Sequence, residues 1–368
     1  MATASLLSLF LLAAGCWALP SQGTPACRAV DIPITVQEPR FIINTTISND
    51  WDAASLVFNL TRRDSGSSAD PIPISGSTAS PVQSNYTIGG TLCGTGATIL
   101  VLTHGIIESK AYWDPTFPGS DPYNFVKAAV AAGYSVLNYD RIGVGSSSRV
   151  DGLFDAQFQV ETAVLNSLVD YARRLPHVSK VGLVGHSYGS YLAAASAASV
   201  AVDALVLTGF SSAFDYFGYF LAGSHLRQAR TLSPSRWGTL DSAYLTAGDQ
   251  YAVAYYGFAA PHFDPQVAQW AATVEGEPFA VGELPSLLAS PIQYSRITAP
   301  VYLVQGQFDL SSCGGNCKGQ LENSPATFNN SHVVSWVDDL PAGHNLNLHT
   351  VAPQAFQLIF KFLQAQGL

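Results

Sequence analysis

The chain has 368 residues, of which 48% are hydrophobic and 12% charged, and these values are typical of a globular protein and exclude a disordered one. Its formal net charge is −9 and no block of basic residues occurs, so we expect no nucleic-acid partner. The length is sufficient for one large domain with an insertion or for two domains.

An apolar run at the N-terminus, residues 6–14, precedes a small-x-small pattern at residues 16–18. This arrangement predicts a secretory signal peptide over residues 1–18, although no basic residue precedes the run. The run is too short to span a membrane and no later run reaches that length, so we expect no membrane span after signal removal. An uncleaved anchor is the alternative. The sequence therefore predicts a secreted protein.

The cysteines fit the secretory prediction. Cys16 lies in the predicted signal, and the four that remain are an even number, which suggests two disulfides. Cys313 and Cys317 are close enough to close a small loop, and Cys27 would then pair with Cys93. That pairing is one of three, and the sequence does not select among them.

Four Asn-x-Ser/Thr sequons also fit the secretory pathway. They begin at Asn44, Asn59, Asn85 and Asn329. Each sequon is weak by itself, and the set as a whole predicts a glycoprotein.

Short strands are predicted before the central part of the chain. Residues 41–47 and 55–60 are rich in β-forming residues, whereas residues 64–81 are rich in Ser, Gly and Pro and predict a loop. Three of the sequons fall here. We therefore expect residues 19–97 to form a β-rich segment at the surface that joins the core sheet.

Strands and helices then alternate over residues 98–209. The predicted strands are continuous apolar runs at residues 98–103, 134–139, 180–184 and 204–208. The predicted helices are residues 122–132, 157–175 and 190–200. This alternation predicts an α/β fold with a mostly parallel central sheet and right-handed crossovers.

The alternation stops in residues 210–296, which are rich in Phe, Tyr and Trp. Their pattern is helical without a clear central strand, so we interpret them as a helical cap inserted after the strand that ends near Thr208. The alternation resumes in residues 297–368. Strands are predicted there at residues 301–306 and 333–337, and a final helix at residues 353–364.

One predicted strand leads directly into a Gly-x-Ser-x-Gly sequence, which is followed by a helix of small residues. The five-residue pattern is common by chance, but this strand–turn–helix context indicates a nucleophile elbow. Ser187 would occupy the sharp turn, and Gly185 and Gly189 would flank it because side chains there would clash. We therefore predict Ser187 as the nucleophile of a serine hydrolase.

A serine nucleophile requires a base, and the base requires an orienting acid. His344 follows the last predicted strand and is the predicted base. Asp309 follows the preceding strand and is the predicted acid. All three residues would lie beyond the carboxyl ends of strands, where open α/β sheets place their sites.

Other residues compete for these two roles. The other candidate bases, none of which follows a strand in the right place, are His262, His332 and His349. The other candidate acids are Asp338 and Asp339, which precede the loop of His344, and the more remote Asp215.

Acyl transfer also requires hydrogen-bond donors for the developing oxyanion. The backbone N–H of Tyr188, directly after the nucleophile, is one predicted donor. The N–H of Ile106, in the loop after the first central strand, is the other, with Ile107 as the alternative. His104 in the same loop is expected to be structural.

Three motifs resemble those of the α/β-hydrolase superfamily. They are His104-Gly105, the Asp-Arg-x-Gly-x-Gly turn that begins at Asp140-Arg141, and the Gly-x-Ser-x-Gly elbow. The resemblance covers residues 98–368 apart from the predicted cap, and the chain is also similar to secreted hydrolases of filamentous fungi. It implies the α/β-hydrolase fold, the same triad and oxyanion residues, and a mainly structural role for Asp140 and Arg141.

The resemblance also limits the reactions that this protein is expected to catalyse. Epoxide hydrolases and haloalkane dehalogenases have an aspartate at the elbow, so Ser187 argues against both. Hydroxynitrile lyases and cofactor-free oxygenases keep a similar triad and are not excluded. The sequence shows neither a metal-ligand cluster nor a phosphate-binding loop, so no metal and no cofactor are expected.

The leading hypothesis is a secreted serine hydrolase that cleaves a carboxylic ester or lactone of a small, apolar or aromatic substrate through an acyl-enzyme on Ser187. The aromatic cap is the only clue to the substrate, and aromatic residues equally fill a cap's own core. The alternatives are a biosynthetic enzyme that hydrolyses, cyclises or rearranges one secondary metabolite, a peptidase for small peptides, and a non-catalytic binding protein. The sequence does not give the oligomeric state.

Overall fold

The computed structural model of the protein describes residues 27–61 and 72–368. The predicted signal peptide and the first part of the predicted loop at residues 64–81 lie outside the described residues. The strands are β1 (Cys27–Glu38), β2 (Phe41–Ile43), β3 (Ile74–Ser77), β4 (Val82–Cys93), β5 (Thr98–Thr103), β6 (Ser135–Tyr139), β7 (Lys180–His186), β8 (Ala204–Thr208), β9 (Arg227–Gln228), β10 (Tyr244–Thr246), β11 (Phe279–Ala280), β12 (Val301–Gly306) and β13 (Val334–Leu340).

Helices connect these strands. The α-helices are α1 (Asp50–Thr61), α2 (Phe125–Ala131), α3 (Phe158–Arg173), α4 (Tyr188–Ala197), α5 (Phe217–Ser224), α6 (Ala229–Leu232), α7 (Pro234–Trp237), α8 (Gln250–Gly257), α9 (Pro265–Trp270), α10 (Glu283–Ala289), α11 (Leu310–Cys313), α12 (Ser324–Thr327) and α13 (Ala352–Ala365). A π-helical turn, Ala271–Glu275, follows α9 directly.

The central sheet has eight strands in the order β1-β4-β6-β5-β7-β8-β12-β13. The strands β1 and β4 are antiparallel to their neighbours, and the strands from β6 to β13 are parallel. Every residue of β6, β8 and β12 is buried, as expected for apolar runs that are covered on both faces. The mostly parallel α/β sheet predicted from the sequence is therefore confirmed.

The predicted strand at residues 55–60 is wrong, because these residues belong to the helix α1. The buried residues of α1 are Ala53, Leu56, Val57 and Leu60, whose spacing of three and four is helical. The Asn49 side chain accepts a hydrogen bond from the N–H of Trp51 (2.8 Å) at the start of the helix. The helical spacing of the buried residues, rather than the number of β-forming residues, therefore agrees with the observed secondary structure of this segment.

Two other predictions for this region need correction. The strand predicted over residues 41–47 ends at Ile43, and residues 74–77 of the predicted loop form β3, which pairs with β2. Such short strands carry too few residues for an alternating pattern to be recognised.

Residues 210–296, which we call the cap segment, contribute no strand to the central sheet. The segment contains the helices α5 to α10, and β9, β10 and β11 form a small antiparallel sheet that the sequence did not predict. Strands of two or three residues give no periodic signal.

Two disulfides are present. Cys27 is bonded to Cys93, its direct partner in the β1–β4 ladder, and Cys313 is bonded to Cys317. Within residues 27–61 and 72–368, no helix has the length and apolar character that a bilayer span requires.

Candidate active site

The elbow at Ser187 has the geometry that the sequence predicted. Strand β7 ends at His186 and helix α4 begins at Tyr188, so that Ser187 alone makes the turn, with φ 53° and ψ −124°. This backbone conformation is strained for a residue with a side chain. A Cβ atom at Gly185 would lie 2.5 Å from the carbonyl oxygen of Gly189, and one at Gly189 would lie 2.2 Å from that of Thr103. Glycine is therefore required on both sides.

The structure brings Ser187, His344 and Asp309 together. The Nε2 atom of His344 lies 2.8 Å from Ser187 Oγ, and its Nδ1 atom lies 2.7 Å from Asp309 Oδ2. Asp309 lies three residues after the end of β12, at the start of α11, and His344 lies in the loop after β13. This arrangement allows His344 to accept the hydroxyl proton of Ser187 while Asp309 fixes the tautomer of the imidazole.

Charge and burial act in opposite directions on the pKa values of His344 and Asp309. Burial disfavours a charged imidazole, but the Asp309 carboxylate outweighs burial and raises the pKa of His344. Burial likewise disfavours the charged carboxylate, but the imidazole and the N–H of Ser312, which donates to Asp309 Oδ1 (2.8 Å), lower the pKa of Asp309. Asp309 is therefore an anion at neutral pH.

The alternative acids lie elsewhere. Asp338 and Asp339 belong to strand β13 itself, and the carboxylate of Asp338 accepts a hydrogen bond from the N–H of Gly319 (2.8 Å). Asp215 lies in the cap segment before α5. None of them bonds to His344, whose ring nitrogens contact Asp309 and Ser187 in the described part of the chain.

The alternative bases His262, His332 and His349 make no hydrogen bond to the side chain of Ser187 or Asp309 in the described part of the chain. The ring of His349 has Nδ1 2.8 Å from the carbonyl oxygen of Asn345, and its Nε2 accepts from the N–H groups of Ala259 and Gly343 (both 3.0 Å). Burial lowers the pKa of His349 to about 4, so that it is neutral and holds the loop of His344 in place. His262 stacks on Phe308.

Two backbone N–H groups are available for an oxyanion. Ile106 and Tyr188 line the same cavity as Ser187 and His344. Neither N–H donates a hydrogen bond to an acceptor in residues 27–61 and 72–368. The neighbouring Ile107 has φ 59°, which is rare for a β-branched residue and shapes this turn. The two predicted donors therefore remain unpaired beside Ser187.

Glu108 is a supporting residue that the sequence reasoning missed. Its buried carboxylate accepts a hydrogen bond from the N–H of Gly105 (2.6 Å) and lies 3.3 Å from the Nε2 atom of His186. It thus joins the Ile106 turn to the residue before Ser187. A carboxylate in an otherwise apolar loop was the signal in the sequence, but its partner on β7 could be found only from the fold.

Gln305 was missed as well. Its Nε2 donates to Asp309 Oδ2 at 2.5 Å, and its Oε1 accepts from the N–H of Phe210 at 2.9 Å. The side chain of Gln305 therefore connects the proposed catalytic acid to the first residue of the cap segment.

Arg141 is fully buried next to the loop that contains Ile106. Its guanidinium lies 2.7 Å from carboxylate oxygens of both Glu161 and Glu283, and it donates to the carbonyl oxygen of Gly105 (3.2 Å). The Tyr188 hydroxyl donates to Glu161 (2.7 Å). Burial next to a second carboxylate raises the pKa of Glu161 to about 8. Arg141 makes no hydrogen bond to Ser187, whose Oγ bonds to His344, and its mainly structural role stays a prediction.

His104 and Asp140 also stabilise the loops around the site. His104 Nδ1 lies 2.9 Å from the carbonyl oxygen of Gly105 and its Nε2 accepts from the N–H of Arg141 (3.1 Å). Burial lowers the pKa of His104 to about 3, so that it is neutral. Asp140 accepts hydrogen bonds from the N–H groups of Lys110 (3.0 Å) and Ser146 (2.8 Å).

The cavity above Ser187 is small and mostly apolar, with a volume of about 40 Å³. One wall comes from the cap segment. The residues that line the cavity besides Ser187, His344, Ile106 and Tyr188 are Tyr191, Gly209, Ala213, Phe214, Phe217, Phe220, Leu287, Ser311 and Ser312. Aromatic residues of α5 and its preceding turn thus line the cavity that contains Ser187.

Replacing Gly209 by alanine is expected to lower kcat by about 100-fold, because displacements of about 1 Å at reacting groups have such effects. Gly209 has φ 59°, and a Cβ atom there would lie 2.8 Å from Cε1 of His186 and 3.0 Å from Cε1 of His344. Gly218→Ala in the cap segment is the matched control, because its Cβ atom would lie 3.7 Å from its nearest neighbour. Steady-state kinetics of the two variants test this, and equal activities would contradict it.

Comparison with known proteins agrees with the fold. A sequence profile of the alpha/beta hydrolase family matches residues 100–356, which is more than half of the chain. The protein therefore belongs to the alpha/beta hydrolase family. Its eight-stranded, mostly parallel sheet with flanking helices is the fold of that family.

Individual relatives are distant. The enol-lactonase of Burkholderia xenovorans LB400 superposes with a TM-score of 0.56 at 17% identity, over 76% of this chain and 97% of that chain. A bromoperoxidase from Bacillus anthracis has a TM-score of 0.54 at 17% identity, over 76% and 96% of the two chains. A 1-acylglycerol-3-phosphate O-acyltransferase of Arabidopsis thaliana is 30% identical over 99 residues, which are 27% of this chain and 21% of that protein.

These likenesses support the fold and do not select a reaction. The chain spans about a fifth of the length of the curated relative that it matches. Three different activities are named among these proteins, so the reaction of this protein has to be argued from its own site. The resemblance to secreted fungal hydrolases stays a prediction.

Proposed function

We propose that this protein hydrolyses a carboxylic ester or lactone of a small, apolar or aromatic substrate through an acyl-enzyme on Ser187. The observation that carries the proposal is the hydrogen-bonded series Asp309, His344 and Ser187 at an apolar cavity with two unpaired N–H groups. We also propose that residues 98–209 and 297–368 form the catalytic core and residues 210–296 its cap.

The geometry suits each step of acyl transfer. His344 takes the proton of Ser187 as the hydroxyl attacks the ester carbonyl, and the N–H groups of Ile106 and Tyr188 stabilise the oxyanion. His344 then donates that proton to the departing alcohol. Water is activated by the same imidazole, attacks the acyl-enzyme and releases the acid.

The lining of the cavity favours an apolar ester over a peptide. Within the described part of the chain, the ionisable side chains that line the cavity are the imidazole of His344 and the buried phenols of Tyr188 and Tyr191. A small peptide has charged termini or polar amides that require partners when they are desolvated. The aromatic wall offers ring faces instead, which suits an aromatic or aliphatic group.

The decisive experiment uses a fluorophosphonate probe on the purified protein. Labelling should occur at Ser187, as located by mass spectrometry of the modified peptide, and should vanish in Ser187→Ala. Nitrophenyl esters of short aliphatic and aromatic acids, an aryl lactone and a peptide anilide are then compared as substrates. Turnover of esters or lactones without turnover of the anilide would support the proposal over a peptidase.

Other outcomes favour the remaining hypotheses. Labelling of Ser187 without turnover of any ester or lactone would support a biosynthetic enzyme with one specialised substrate. Folded protein that is not labelled at all would contradict an active serine hydrolase and would support a binding protein.

We further propose that the protein is secreted and glycosylated. The two disulfides are compatible with an oxidising compartment. The four sequon asparagines are exposed: Asn44, Asn59, Asn85 and Asn329. Expression of the full chain in a eukaryotic host tests this proposal. Protein in the medium whose mobility increases after glycosidase treatment is expected, and protein retained in the cytosol would contradict it.

A further inference from the structure

The residue before Ser187 forms a second imidazole–carboxylate pair beside the proposed triad. His186 and Glu108 are both buried, and the Nε2 atom of His186 lies 3.3 Å from Glu108 Oε1. No other acceptor bonds to this nitrogen in the described part of the chain. The second carboxylate oxygen of Glu108 accepts a hydrogen bond from the N–H of Gly105 (2.6 Å). The pair therefore has one carboxylate that serves two donors.

The ring of His186 contacts the imidazole of the proposed base. The centroids of the His186 and His344 rings are 4.9 Å apart, and the other contact of the His186 ring is a stacked Tyr112 ring at 4.4 Å. All of these side chains are buried. Because charges in such surroundings are screened much less than surface charges, a negative charge on Glu108 acts on His344.

The hydrogen bonds of His186 determine whether the pair is charged. Thr208 Oγ1 lies 2.9 Å from His186 Nδ1, so the Thr208 hydroxyl can donate to that nitrogen while the imidazole proton on Nε2 points to Glu108. Burial lowers the pKa of His186. Burial disfavours the Glu108 carboxylate, but its contacts with His186 and the N–H of Gly105 outweigh burial and lower its pKa. The imidazole is thus neutral, and Glu108 keeps its negative charge.

The other titratable groups around Glu108 do not cancel this charge. Burial lowers the pKa of His104 to about 3, so that its ring is neutral. Burial raises the pKa of the Tyr112 and Tyr256 phenols well above the ordinary range. Burial and the charge of Glu108 likewise raise the pKa of Glu275, in the π-helical turn of the cap segment, well above its ordinary value. None of these four groups supplies a positive charge.

We infer that Glu108 is a positioning residue for the proposed reaction. Its hydrogen bond to Gly105 holds the turn that carries the Ile106 N–H. Its charge, acting across the ring of His186, favours the imidazolium form of His344. The inference rests on the proposed function, in which that imidazolium forms during acyl transfer. A nearby negative charge then stabilises the transition state more than the ground state.

Two variants of Glu108 separate these two roles. Glu108→Gln removes the charge and keeps the shape. Its amide can accept from the N–H of Gly105 and donate to Nε2 of the other His186 tautomer, whose Nδ1–H then donates to Thr208. Glu108→Asp keeps the charge and shortens the side chain. Glu277→Gln is the matched control, because the Glu277 carboxylate bonds to side chains within the cap segment.

The readouts are kcat and the pH dependence of kcat/KM, whose acid limb reports the free base. Removing a negative charge lowers the pKa of His344, so Glu108→Gln should move the acid limb to lower pH by about half a unit or more. Its kcat should fall roughly three- to tenfold. Glu108→Asp should lower kcat without moving the limb, because the turn is held less well. Glu277→Gln should match wild type in both.

An acid limb of Glu108→Gln that coincides with that of wild type, or an equal shift in Glu277→Gln, would overturn the inference and leave the proposed function intact. NMR of the imidazole nitrogens of wild type gives a test that needs no variant to fold. A neutral His186 protonated at Nε2 is expected, and a charged ring or a neutral ring protonated at Nδ1 would overturn the inference. Folded wild type that hydrolyses no ester would overturn both proposals.

Discussion

Replacing Ser187 by alanine should lower kcat for ester hydrolysis roughly 10⁴- to 10⁶-fold, because the variant cannot form an acyl-enzyme. The oxyanion donors at Ile106 and Tyr188 would remain, so a residual rate above that in water is expected. Hydrolysis rates at saturating substrate measure the effect. Near-ultraviolet circular dichroism should be unchanged, since alanine differs from serine by one oxygen atom.

The companion variants test whether the residues act as a unit. His344→Ala should cost about as much as Ser187→Ala, and the double variant should cost little more than either single variant. If the two losses multiplied instead, Ser187 and His344 would contribute independently, and the 2.8 Å contact between them would not be a proton-transfer pair.

The sequence predicted the elbow well because its features are local. An apolar strand, a Gly-x-Ser-x-Gly turn and a helix of small residues follow one another without interruption, and the short distances at Gly185 and Gly189 require these residue types. The fold class was equally accessible, since continuous apolar runs are what a sheet covered on both faces requires. Both inferences use neighbours in the chain rather than contacts between distant residues.

The choice of the acid depended on where a strand ends. The sequence predicted that the last strand stops at residue 337, which placed Asp338 and Asp339 after the strand and just before the loop of His344. In the structure β13 continues to Leu340, so both aspartates are strand residues. Strand ends are set by pairing with a neighbour, here β12, and this pairing leaves no mark in a single sequence.

The supporting contacts could not be predicted for the same reason. Glu108 contacts His186 across the sheet edge, and Gln305 reaches the N–H of Phe210 at the beginning of the cap segment. Each contact joins residues about eighty or more positions apart. The strand predicted at residues 55–60 was wrong for a different reason. β-forming residue types occur there at helical spacing, and the segment forms the helix α1 because one face of that helix is buried.

Replacing Asp309 by asparagine is expected to lower kcat by about 10³- to 10⁴-fold, because an amide at this position no longer fixes the tautomer that His344 needs or stabilises the imidazolium. The side chain is nearly isosteric, and the N–H of Ser312 can still donate to its oxygen. Asp338→Asn is the matched control, since its carboxylate bonds to Gly319 and not to His344. Its kcat should change by less than about twofold.

The pH profile gives this prediction a second readout. His344 must be neutral to act as a base, so activity falls as the pH decreases through its pKa. In wild type, the Asp309 carboxylate raises that pKa above its ordinary value, which places the acid limb of the profile at higher pH. Asp309→Asn removes the negative charge and should move the acid limb to lower pH. If the acid limb of the pH profile did not shift in Asp309→Asn, Asp309 would not be the acid. A large loss of kcat in Asp338→Asn or Asp339→Asn would likewise show that the acid lies on β13 instead.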